Sequence, residues 1–96
     1  MSQPAMTIRR ATAADRPALE RLAALDSAPV PAGELLIGET AGTPAVAVAI
    51  TDGTAVADPF LPTADLVAVL RLRAATLRGS AGARRRLGVR RPAFAA

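Results

Sequence analysis

The chain contains no cysteine, histidine, lysine, tyrosine or tryptophan, and only two phenylalanines. Without cysteine there are no disulfides and no thiolate metal centres. Without histidine the usual general base near neutral pH and the commonest metal ligand are gone. The groups left for chemistry are carboxylates, Arg, a few Ser and Thr, and the backbone. No run of about 18 apolar residues occurs, so no membrane-spanning segment is expected. The start, MSQPAMTIRR, shows no basic-then-apolar leader pattern. These absences predict a cytoplasmic protein with no metal site, no catalytic residue and no cofactor.

What is present is one small domain's worth of chain, 96 residues, near the lower size limit for folding without staples. All twelve basic residues are Arg, and their distribution is lopsided. Residues 1–70 hold four of them, Arg9, Arg10, Arg16 and Arg21, with all eight acids. Residues 71–96 hold the other eight and no acid. An acidic body with a basic end bears on partners and solubility rather than on fold.

Along the chain, MTIRRA reads as a first strand. In TAADRPALERLAALD, Thr12 and Asp15 have capping-box spacing, or Asp15 is itself the cap with Pro17 in the first turn. Leu19, Leu22, Ala23 and Leu25 then recur at helical spacing. SAPVPAG is a connector. A meander follows: strand 34–40, a turn at Ala41-Gly42-Thr43, strand 44–51, a two-residue hairpin at Asp52-Gly53, and a returning strand 54–58. Val46, Val48 and Ile50 share one sheet face, predicted to meet a helix. Ala47 and Ala49 share the other, either open or packed closely.

Pro59 and Pro62 stop the sheet. Thr63 caps a helix predicted over 64–78, with Asp65 in its first turn and Gly79 as its stop. Leu66, Leu70 and Leu77 form its apolar stripe, a packing face or a dimer face. The fold class is thus α/β in the α+β sense: strand, helix, three-strand antiparallel meander, helix, then a basic tail. Residues 1–5 are expected to form a flexible N-terminus, residues 6–79 the domain, and residues 80–96 a flexible Arg-rich tail.

TIRRATAADRPALERLAAL resembles the opening of the GNAT N-acetyltransferase superfamily, a short I-R-x-A strand followed by T-x-x-D and a Leu-rich helix. ELLIGETAGTPAVAVAITDGTAVAD is similar to that family's next strands, and the likeness covers residues 6–58. It implies a truncated N-terminal half of a fold that binds acetyl-CoA and acetylates an amine. In that family the strand after the hairpin leads into Q/R-x-x-G-x-G/A, whose N–H groups cradle pyrophosphate at a helix start. This chain has Asp58-Pro59-Phe60-Leu61-Pro62-Thr63-Ala64-Asp65 there, with no glycine, two residues lacking N–H and two carboxylates. A near-miss, Arg78-Gly79-Ser80-Ala81-Gly82-Ala83, follows a helix where the family has a strand. The family's tyrosine acid has no counterpart.

Three functions follow as expectations. The first is a non-catalytic domain acting through self-association or partner binding. Its homodimer would form through edge strand 54–58 or through helix 64–78. The second is an acetyl-CoA-dependent N-acetyltransferase, degenerate or completed by another subunit. The third is weak, non-specific nucleic-acid binding through Arg84, Arg85, Arg86, Arg90 and Arg91, whose affinity would come from counterion release. With so few aromatics, base stacking and sequence reading are not expected. Glu34, Glu39, Asp52 and Asp58, at strand ends and turns, read as solvated turn residues rather than a ligand set.

Overall fold

The computed structural model describes residues 5–95, and side chains for residues 5–80. It is a mixed α/β fold with a four-stranded antiparallel sheet between two helices. The elements are β1 (Met6–Arg10), a 3-10 turn (Ala13–Asp15), α1 (Arg16–Leu25), β2 (Leu35–Thr40), β3 (Thr43–Ala49), β4 (Ala55–Ala57) and α2 (Ala64–Ala95). Strand order follows the chain, β1-β2-β3-β4, and every neighbouring pair is antiparallel, with α1 in the connection from β1 to β2.

The period of two sorts the sheet residues onto two helices. Leu36, Val46, Val48 and Ile50 pack with Leu66, Leu70 and Ala74 of α2. Leu35, Ile37, Ala47, Ala49 and Val56 pack with Leu19 and Leu22 of α1. The alanine face of β3 is therefore covered, and its small side chains let the leucines of α1 approach closely. The stripe Leu66-Leu70-Leu77 belongs to the core: Leu66 and Leu70 are buried and Leu77 packs partly buried against them.

Two irregularities shape the domain. The register between β2 and β3 shifts after Gly38: Gly38 faces Val46 but Glu39 faces Pro44, leaving Ala45 as a bulge. The Ala45 carbonyl accepts the Asp58 N–H at 2.9 Å, so the bulge fixes where the chain leaves β4. The turn Ala41-Gly42 has positive φ at both residues, 51° and 80°, as a tight two-residue hairpin requires.

The structure corrects two expectations. The β3–β4 hairpin is wider than a two-residue turn, because only Gly53 takes positive φ. Its N–H reaches the Ala49 carbonyl, and the Asp52 carboxylate accepts the Thr54 N–H, which satisfies the turn with Asp52 at ordinary φ. The second helix does not stop at Gly79 but continues to Ala95. A glycine ends a helix by adopting positive φ, and Gly79 does not. Staying helical costs it only about 1 kcal/mol relative to alanine. The expected flexible N-terminus falls on residues 1–4, outside the described residues, together with Ala5, which precedes β1.

Candidate functional site

The β4–α2 junction, where the resemblance places a phosphate loop, is held together by Asp58. This buried carboxylate accepts the Phe60 N–H at 2.8 Å, and the Asp58 carbonyl accepts the Leu61 N–H at 3.3 Å. Its second oxygen lies 3.8 Å from the Arg21 guanidinium. Three consecutive available donors, at Asp58, Phe60 and Leu61, are therefore committed within the protein. Pro59 and Pro62 have none to give. The depression beside the turn, about 420 Å³, is lined by Pro59, Leu61, Pro62, Thr63, Ala64 and Asp65. The carboxylate of Asp65 at the start of α2 opposes an anionic ligand there, so the geometry suits a change of chain direction.

A second polar group joins β1 to the start of α1. Arg9 donates from both terminal nitrogens to Asp15, at 2.8 and 2.7 Å, and more weakly to Glu39 at 3.3 Å. Asp15 also accepts the Thr12 N–H at 2.6 Å. The Arg9 guanidinium and then the Thr12 N–H hold the Asp15 carboxyl well below the usual carboxylate range, and Asp15 with Glu39 raises Arg9. Every oxygen here has a partner, so the cluster is a clasp between strand and helix rather than a free base. The other carboxylates that the sequence set at strand ends and turns are likewise occupied: Glu34 pairs with Arg10, Glu39 accepts from Thr7, and Asp52 caps its turn with a lowered pKa from the Thr54 N–H. Among the described residues no group of acids is arranged to hold a metal ion.

Two arginines of α2 reach back to the β3–β4 hairpin. Arg71 donates to the Gly53 carbonyl at 3.0 Å and Arg78 to the Ile50 carbonyl. Together with Asp52, Gly53 and Thr54 they line a basic hollow of about 370 Å³. The side chains of Arg84, Arg85, Arg86, Arg90 and Arg91 lie outside the described residues.

The remaining feature is apolar. One helix is about 10 Å across, and four strands spaced about 4.8 Å apart make a wider face. The sheet residues packed in the α2 cluster come from β2, β3, the hairpin and β4, while Met6 and Ile8 of β1 stay exposed. Ile8 of β1 and Val69, Leu72, Arg73 and Thr76 of α2 line a groove of about 310 Å³. Leu72 is 70% exposed, Met6 58% and Val69 49%. On this side of α2, Ala68, Val69, Leu72, Ala75 and Thr76 are exposed and uncharged, with the exposed charges of Asp65 and Arg73 beside them. Two large aliphatic side chains in such a position leave apolar surface in water that a solvated helix face normally does not carry. Sequence reasoning missed this groove; the signal for it is that Val69 and Leu72 are large aliphatic residues off the stripe of Leu66, Leu70 and Leu77.

Neither expected dimer element presents itself unchanged. On β4 the outward-facing Ala57 N–H donates to the Asp26 carboxylate at 3.2 Å, which blunts that edge. On α2 the leucines of the predicted stripe are turned into the core, and a different set of residues faces out. No helix among the described residues is long and apolar enough to cross a membrane. No known protein family, curated protein or solved structure matches the chain.

Proposed function

We propose that this chain is a non-catalytic, GNAT-like half-domain that works by associating with another protein surface. The observation that carries the reading is the groove of Ile8, Val69 and Leu72: exposed aliphatic side chains gathered in one place, with Arg73 at the groove's margin. The order strand, helix, three-strand meander, helix supports the GNAT likeness. The commitment of the Phe60 and Leu61 N–H groups to Asp58, the two prolines and the carboxylate of Asp65 argue against the competing acetyltransferase reading. Calorimetric titration of the full chain with acetyl-CoA tests that choice. No heat at millimolar ligand is expected, and saturable micromolar binding overturns it.

A second reading rests on the basic hollow of Arg71 and Arg78 and on the eight arginines after residue 70. It is weak, non-specific contact with nucleic acid, with Arg84, Arg85, Arg86, Arg90 and Arg91 adding charge. Its affinity would fall steeply with salt. Anisotropy of a labelled oligonucleotide between 50 and 200 mM salt, roughly the range over which such contacts weaken, separates it from sequence-specific binding, which would persist.

A further inference from the structure

We infer that the groove between β1 and α2 is filled by a second copy of this chain, with the two α2 helices meeting antiparallel and Leu72 of each seated in the groove of the other. The inference rests on the association reading above and names its partner. Leu72 is the most exposed large aliphatic side chain of the described part of α2, and it forms one wall of a groove that Ile8, Val69, Arg73 and Thr76 complete. The projecting side chain and the groove therefore share one surface. A two-fold axis perpendicular to α2 matches each projecting side chain to the other copy's groove, which is the self-complementary arrangement of a closed dimer.

Charge selects the orientation and the partner. Asp65 and Arg73 are exposed on α2 and form no ion pair with another described residue. They lie eight residues apart, about 12 Å along the helix axis, too far to meet within one helix. In an antiparallel pair with Val69 opposite Leu72 of the second copy, Asp65 of each helix comes within reach of Arg73 of the other. A parallel pair would set Asp65 against Asp65 and Arg73 against Arg73, which is repulsive. Arg71 and Arg78 do not interfere, because both are turned toward the hairpin by their bonds to Gly53 and Ile50. Close approach is also open to the helices, since Ala68 and Ala75 beside Leu72 carry only methyl groups.

The test is sedimentation velocity of the full chain from 1 to about 200 µM, a range that brackets ordinary weak dimers. Wild type is expected to shift from monomer to dimer. Leu72→Glu, which leaves the buried stripe untouched, is expected to weaken the dimer about a hundredfold or more by placing an unpaired charge in the contact. Circular dichroism and thermal melting confirm that this variant is folded. Asp65→Arg and Arg73→Asp alone are each expected to weaken the dimer, and the double variant Asp65→Arg/Arg73→Asp to restore it. Restoration requires the two residues to meet across copies. A monomer throughout the range overturns the inference. So does a dimer indifferent to Leu72→Glu, although that result would leave association itself standing through another surface. A double variant no tighter than the single ones removes the antiparallel alignment.

Discussion

Gly38 of β2 lies directly against Leu66 of α2: a Cβ built on Gly38 would stand 2.9 Å from the Leu66 side chain. The glycine lets α2 sit low on the sheet, and it also marks the point where the β2–β3 register shifts. Gly38→Ala would force the buried Leu66 side chain away from its seat. The expected cost is about 1–3 kcal/mol, the usual range for overpacking. Denaturant unfolding measures it, and an unchanged midpoint would show that α2 is not seated as described.

The Ala41-Gly42 turn holds a residue with a side chain at φ 51°, where alanine is strained. Asn-Gly is the favoured pair for two positive-φ positions. Ala41→Asn is therefore expected to stabilise the domain by about 0.5–1 kcal/mol. In a chain of this size that is a rise of a few degrees in melting temperature.

Asp15 gives the domain an acid-sensitive clasp. Its folded pKa is depressed by Arg9 and the Thr12 N–H, so the folded state favours the charged carboxylate. The resulting stability is complete above the unfolded value of about 3.9 and drains away as pH falls from there toward the depressed folded value. Asp15→Asn is expected to lower stability near neutral pH by about 1–3 kcal/mol, the range for hydrogen bonds to charged groups. It should also flatten the loss of stability below about pH 4. Urea unfolding at several pH values reads both effects, and parallel wild-type and variant curves would contradict the assignment.

Asp26 protects the β4 edge by accepting the Ala57 N–H. Asp26→Ala is expected to speed hydrogen exchange at the Ala57 amide with little change at the central strand β3, whose amides depend on the sheet as a whole. Unaltered exchange at Ala57 would mean that the carboxylate does not close that edge.

Much of this architecture is legible in the residues themselves. The alternation of Val46, Val48 and Ile50 and the helical spacing of Leu66, Leu70 and Ala74 each specify a buried face, and those two faces meet. Other features depend on partners distant in sequence. Nothing local tells whether Ala47 and Ala49 face water or a helix; that is decided by Leu19 and Leu22 arriving on their side. Gly79 reads as a stop because glycine often is one, yet the penalty for keeping it helical is small. Asp52-Gly53 reads as a two-residue turn, but the Asp52 carboxylate bonds the Thr54 N–H and holds a wider loop.

The candidate surface was the least legible part, for a topological reason. Val69 and Leu72 are visibly off the core stripe, but Ile8 joins them only because β1 lies beside β2 at the sheet edge. The junction after β4 was easier to read. Proline's missing N–H and the carboxylates of Asp58 and Asp65 are local properties, and the Asp58 hydrogen bonds in the fold follow from them.

The most direct test of the account is methyl NMR of the full chain as a function of its own concentration. The methyl signals of Ile8, Val69 and Leu72 are expected to shift together as concentration rises from about 10 to 500 µM, the range of weak self-association. Those of Leu19 and Leu22, buried under α1 on the far side of the sheet, should stay in place. Signals that stay fixed at Ile8, Val69 and Leu72, or that move only around β4 and α1, would contradict it.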